Sequence, residues 1–190
     1  MSRTQKRIIM AITGASGALL GIRTLELLKK SGVETHLVIS NAARETIPLE
    51  TSWSLADVES LAEKCYEPQQ IGARIASGSF KTDGMLVVPC SIKTLSGIAN
   101  SYSSNLIIRA ADVCLKEGRK LLLAVRETPL HVGQLRLMVQ AAEAGAIIFP
   151  PVPPYYNREA ALEELVTDIA GRILLRMGIE NDAYGQWDGN

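Results

Sequence analysis

The stretch that decides the fold is IIMAITGASGALLGIRTLELLKKSGVETHLVIS, residues 8–40. Ile8 to Thr13 is a short apolar run that stops at a glycine-rich turn. Leu19, Ile22, Leu25 and Leu28 then recur at helical spacing before Gly32. This order predicts a strand, a tight turn and an amphipathic helix. VETHLVIS, residues 33–40, is a second strand, and two strands bracketing one helix imply a parallel βαβ unit.

The alternation continues along the chain. In NAARETIPLE, Pro48 is expected to end or deflect any short helix, and a polar helix-like stretch follows from Ser54 to Lys64. GMLVVP (84–89) is a strand, Asn105 to Glu117 a helix, and KLLLAV (120–125) a further buried strand. TPLHVGQLRLMVQAAEAG (128–145) has a Thr-Pro helix start and a terminal glycine, and it precedes the strand AIIF. PPVPPYY (150–156) is too rich in proline for strand or helix and leads to a last helix at about Glu159 to Met177. A polar tail, about 178–190, has Trp187 as its one large anchor. The pattern predicts a three-layer α/β fold with a mostly parallel sheet, in one domain spanning 1–190. Ligands of such folds bind beyond the carboxyl ends of the strands, which singles out the loops after Thr13, Ser40, Pro89 and Val125.

Basic and acidic residues balance at 20 each, so no bulk charge draws the chain to nucleic acid or to an anionic membrane. Cys65, Cys90 and Cys114 show neither CxxC spacing nor an even count. That argues against a disulfide framework or a zinc site and fits a reducing, cytoplasmic compartment. The basic start MSRTQKR precedes an apolar run too short for a signal peptide, and no segment has the unbroken apolar length of a membrane helix.

The first loop places Gly14, Gly17 and Gly21 as GxxGxxxG, and the second strand ends in Ser40 and Asn41 where a dinucleotide ribose would need an acid. A mononucleotide phosphate or a flavin suits this loop better than NAD. Glycines for close packing in a tight turn are the alternative, and the Ser16 hydroxyl among bare amides favours the anion. Cys90 has Lys93 nearby, yet His36 lies in a predicted strand and His131 in a predicted helix, so a small buried cysteine is favoured over a nucleophile. Ser91, Thr94, Ser96 and Gly97 offer hydroxyls and amides to a flat heterocycle, against a plain helix N-cap that would account for one serine. Arg126 and Glu127 directly follow a buried strand, a pairing suited to anion binding with acid/base work. Arg109, Asp112 and Lys116 share a helical face, for which a surface ion-pair row is the usual explanation.

Six ordered motifs carry a more specific signal: TGASGA, LET around Glu50, PCSIKTLSGIA, RAADVCLKE, VRETPLHVGQLRLM and PPVPPYYNRE. Together, from about residue 7 to 187, they resemble the UbiX-type flavin prenyltransferases. The resemblance implies a flavodoxin-like Rossmann fold and transfer of a dimethylallyl group from its monophosphate to N5 and C6 of reduced FMN. The prenylated FMN produced would serve a separate UbiD-type decarboxylase. It also implies that Gly14, Ala15, Ser16, Ser40, Ser91, Ile92, Lys93, Thr94 and Arg126 bind FMN. Glu50, Lys116, Arg126, Tyr156 and Arg172 would surround the prenyl phosphate, and Glu127 and Ser16 would handle protons. No Asp-rich DDxxD-like cluster is present to hold magnesium, so cationic side chains must stabilise the leaving phosphate without a metal. A homo-oligomer, commonly a dodecamer, with sites at subunit contacts is implied as well. The rival activities are direct decarboxylation of an aromatic acid and FMN-based electron carriage.

Overall fold

The computed structural model describes residues 5–155 and 161–185. The first βαβ unit is β1 (Arg7–Ile12), α1 (Ala18–Lys30) and β2 (Glu34–Ile39). After α2 (Asn41–Glu50) and α3 (Leu55–Glu59) comes a short strand, β3 (Lys64–Tyr66). A 3₁₀ turn at Arg74–Ala76 leads to β4 (Gly84–Cys90), α4 (Ile92–Ala99) and α5 (Leu106–Lys116). The chain continues through β5 (Lys120–Val125), α6 (Val132–Glu143) and β6 (Ile147–Ile148) to α7 (Leu162–Arg176).

All strand pairings are parallel and the sheet order is β3-β2-β1-β4-β5-β6. Without the short edge strand the order is that of a flavodoxin-like sheet, with its topological switch between β1 and β4. Alternate residues supply the two cores. Ile8, Met10 and Ile12 pack with α1 and α7, whereas Ile9 and Ala11 face the side occupied by α4 and α5. This period-2 division makes three layers and buries every residue of β4. Two glycines of the first loop have packing reasons. Gly17 has φ 112°, a left-handed conformation at the start of α1, and a Cβ on Gly21 would stand 2.6 Å from the Val88 carbonyl oxygen.

Four expectations need correction. Pro48 does not end α2, which continues to Glu50; the proline sits in the last turn, where few further amide bonds are at stake. The stretch from Ser54 to Lys64 yields only the five residues of α3, started by a Ser54–Asp57 capping box, and its last residue opens β3. Residues after Ser91 form α4, not a loop. The sixth helix starts at Val132, with His131 as its N-cap accepting from Gly133 N at 3.1 Å, so Thr128 and Pro129 remain in the preceding loop. The expected start of the last helix at Glu159, and Trp187, lie outside the described residues. Among the described residues, no helix is long and apolar enough to cross a membrane.

β3 matters beyond its length because it encloses a polar cluster. His36 Nδ1 is 2.8 Å from the Tyr66 hydroxyl, and its Nε2 is 3.0 Å from Glu34 Oε1, which also accepts from Arg7 Nε at 2.6 Å. Phe80 meets the imidazole edge-on and is itself covered by Arg7 and Arg74. Burial pushes the His36 pKa down, against the opposing pull of Glu34. The Arg7 hydrogen bond leads the effects that hold the Glu34 carboxyl below its ordinary value, with burial opposing. Both groups therefore bind protons less readily folded than unfolded. Stability should be full above the unfolded histidine value, about 6.5, and fall as pH drops below it. A His36→Gln variant should show a shallower loss of Tm between neutral pH and about pH 5; the same slope as wild type would remove His36 from this effect.

Candidate active site

The switch between β1 and β4 is fastened by one hydroxyl. Thr13 Oγ1 donates to the Pro89 carbonyl at 2.8 Å and accepts from Ser91 N at 2.8 Å, while Thr13 N bonds the same carbonyl at 3.2 Å. Arg126 N reaches the Cys90 carbonyl at 3.2 Å and ties the end of β5 to the end of β4. Three loop starts are thus held side by side at the carboxyl edge.

Beyond them lies a cleft of about 400 Å³, lined in part by Gly14, Ser40, Ser91 to Thr94 and Glu127. Ser40 and Ser91 cap α2 and α4, accepting from Ala43 N at 3.1 Å and Thr94 N at 3.4 Å. The first-turn amides of Asn41, Ala42, Ile92 and Lys93 have no intrahelical acceptor, and among the described residues none finds another protein acceptor. Two helix N-termini and the exposed Lys93 therefore line the same cleft, a donor set suited to a phosphate. Ile92, Ile107 and Ile108 give the cleft apolar wall for a flat ring. These residues fit a flavin mononucleotide.

The N-terminus of α1 is used differently. Glu50, carried to the end of α2 past Pro48, accepts from Gly17 N at 2.8 Å and Ala18 N at 2.9 Å through one carboxylate oxygen. Burial works against its ionisation. The Ala18 and Gly17 amides, the Ser16 hydroxyl and the Arg126 guanidinium outweigh that cost and hold the carboxyl below its usual range. Ser16, Glu50 and Arg126 thus form a second cluster beside the cleft, with buried Ala15 in the loop between.

Cys90 is wholly buried, and burial pushes its thiol pKa far up; Cys114 is pushed up to about 11 for the same reason. Cys90 shapes the strand end and offers no nucleophile. Two expected site residues stand apart within one chain. α5 runs back from the carboxyl edge, and its length of about 16 Å carries Lys116 toward the start of β5, where Nζ pairs with Glu117 Oε1 at 2.6 Å. Arg172 lies on the exposed side of α7. Tyr156 lies outside the described residues. Arg109 pairs with Asp112 at 3.0 Å, in keeping with the ion-pair reading of that helical face. Among the described residues, no group of three His, Cys, Asp or Glu side chains could hold a metal ion.

Sequence reasoning missed Thr13, whose only local signal is a hydroxyl between an apolar strand and a glycine. It also missed Asn41, Pro68, Gln69, Asn105, Ile107 and Ile108 on the cleft wall. Asn105 carried a legible signal as the N-cap of α5, accepting from Ile108 N at 3.1 Å. Pro68 and Gln69 carried none, because their place depends on β3.

A family model described as Flavoprotein matches residues 1–144. The chain is 52% identical over 187 residues to Flavin prenyltransferase UbiX of Escherichia coli (strain K12), covering 97% of this chain and 99% of that protein. It is similar to the crystal structure of AnUbiX (PadA1) in complex with FMN and dimethylallyl pyrophosphate, with a TM-score of 0.96 and 44% identity over 97% of this chain and 98% of that one. A dodecameric FMN-dependent Ubix-like decarboxylase from Escherichia coli O157:H7 gives a TM-score of 0.94 and 44% identity over 96% and 100% of the two chains.

Replacing Thr13 by valine leaves the Ser91 amide and one bond to the Pro89 carbonyl unmade at a buried position. The variant should lose about 2 kcal/mol of stability and weaken flavin binding, whereas Thr13→Ser should retain both. Denaturant unfolding of the three proteins checks this, and a valine variant as stable as wild type would count against the fastening role.

Proposed function

This chain belongs to the UbiX-type flavin prenyltransferase family, and we propose that it moves a dimethylallyl group from dimethylallyl monophosphate onto N5 and C6 of reduced FMN. The observation that carries this reading is the pairing of a cleft suited to a flavin phosphate with a separate cluster of Ser16, Glu50 and Arg126 at its side. Reduced FMN supplies the electron-rich N5 and C6 positions that take the allyl group.

The chain's own residues supply the rest. The α2 and α4 N-termini, with Gly14, Ser40, Ser91, Ile92, Lys93 and Thr94, hold the FMN phosphate end and set the ring toward Arg126 and Glu127. Arg126, Lys116, Arg172 and Tyr156 stabilise the negative charge that grows on the departing prenyl phosphate. Glu50 accepts a hydrogen bond from Ser16 and attracts the Arg126 guanidinium by charge, and its lowered pKa keeps it ionised for both. Glu127 moves the proton at the ring edge where the second carbon bond forms, with Ser16 to orient or relay it. The prenylated FMN then passes to a UbiD-type decarboxylase.

The same reading assembles the protein as a homo-oligomer, specifically a dodecamer. Lys116 and Arg172 stand apart from the cleft of their own chain and serve the site of a neighbouring copy. The exposed Val132, Leu135 and Val139, spaced along one side of α6, supply apolar surface for such contacts. A second reading, direct decarboxylation, takes support from the description of the O157:H7 relative as a decarboxylase. Carbon dioxide release from an aromatic acid by the isolated chain would favour it.

Anaerobic incubation with reduced FMN and dimethylallyl monophosphate should add one prenyl mass to the flavin without added metal; unchanged flavin mass would sink the proposal. Glu127→Gln should keep FMN binding and slow product formation by about 10²-fold or more. Mixed oligomers of Glu127→Gln and Lys116→Ala, each inactive alone, should regain turnover if one copy completes another's site. No recovery after verified subunit exchange would place Lys116 outside it.

A further inference from the structure

Pro68 and Gln69, just after β3, line the cleft on the side of the α2 N-terminus. Pro68 is buried, and its carbonyl accepts from Leu106 N, at the start of α5, at 2.8 Å. Glu67 pairs with Arg44 of α2 at 3.0 Å, and the Gln70 side chain accepts from Glu67 N at 3.0 Å. Gln69 reaches across to Asn41 of α2, Nε2 to Oδ1 at 3.5 Å. Two helices, α2 and α5, therefore clamp the segment beside the first-turn amides that suit a phosphate.

We propose that Pro68 and Gln69 make this cleft selective for a flavin mononucleotide over the corresponding dinucleotide. The inference rests on the flavin reading of the cleft and names the residues that set which flavin enters. Ser40 follows β2 and Glu127 follows β5, on opposite sides of the β1–β4 pair in the sheet order, so a phosphate held at the α2 N-terminus would lie on the Asn41 side of the cleft with the ring toward Glu127. A second phosphate with its adenosine has to leave from the phosphate end, where Asn41, Pro68 and Gln69 stand. At about 400 Å³ the cleft lies near the small end of ligand pockets, roughly 300–1,000 Å³, and the wall is tied by backbone as well as side-chain bonds. Gln69 is exposed and closes the span to α2 through its carboxamide alone, so truncating it opens the wall without unpacking a core. The Pro68 ring adds stiffness to the same wall, since it fixes the local backbone.

The test is titration of the intact oligomer with oxidised FMN and with FAD, read by flavin fluorescence, for wild type, Gln69→Ala and the double variant Pro68→Gly/Gln69→Ala. Thermal unfolding of each variant checks that it folds. Wild type should bind FMN and discriminate strongly against FAD. Gln69→Ala should hold FMN within about threefold of wild type and bind FAD about tenfold more tightly, a change of about 1.4 kcal/mol, with a larger gain in the double variant. FAD affinity unchanged in folded variants that still bind FMN would overturn the proposal. Loss of FMN binding in Gln69→Ala would overturn it too, by making the carboxamide a ligand-holding group. A wild type that binds neither flavin would reject the flavin reading of the cleft, an outcome distinct from wild-type binding of both flavins alike, which rejects only the selectivity.

Discussion

Parallel pairing of β1 with β4 is the constraint on which the site depends. Strands joined in parallel must each be followed by a crossover, and at the switch the crossovers leave toward opposite ends of the sheet. The crevice this opens is lined by the loops and helices that follow the strands. It is given a fixed width by Thr13, which bonds one carbonyl and one amide of the neighbouring strand end. The open amides of Asn41, Ala42, Ile92 and Lys93 are thereby held in place before any ligand arrives.

A chain with no net charge nevertheless leaves amide donors open in its cleft. The helix N-termini supply partial positive charge without adding a formal one. α2 and α4 leave theirs open at the cleft, whereas that of α1 is closed by Glu50. The open termini leave donors suited to a phosphate, whereas the closed one sets the Glu50 carboxylate beside Ser16 and the charge of Arg126. The GxxGxxxG spacing thus belongs chiefly to packing and turn geometry, with Gly17 left-handed and Gly21 against the β4 backbone.

The main framework was legible because strand and helix periodicities are local: Leu19, Ile22, Leu25 and Leu28 announce α1, and the apolar runs at 8–13, 84–89 and 120–125 announce buried strands. β3 was not legible, since three residues paired with β2 gain their state from a neighbour remote in sequence. For α4 a plain N-cap for one serine stood only as the alternative, because Pro89 and the run of hydroxyls favoured a loop; Ser91 is that cap. In the site, Ser40, Ser91 and Glu127 were legible as strand-end polar residues. The Glu50 contacts were not, because they require α2 to run through Pro48. Motif resemblance supplied Lys116 and Arg172, and no periodicity could have said that they lie away from the cleft of their own chain.

That separation has a physical logic. Gathering Lys116, Arg126 and Arg172 around one small cleft in a single folded chain would set like charges together before a phosphate arrived to neutralise them. Lys116 instead pairs with Glu117 at the far end of α5, away from Arg126. If Lys116 serves a neighbour's cleft, as proposed, it would arrive there on assembly, where the exposed apolar side of α6 offers a favourable burial term to offset the repulsion. On the proposed reading the cleft would hold the flavin through amides of one chain, while the cations for the prenyl phosphate would come from a neighbouring copy.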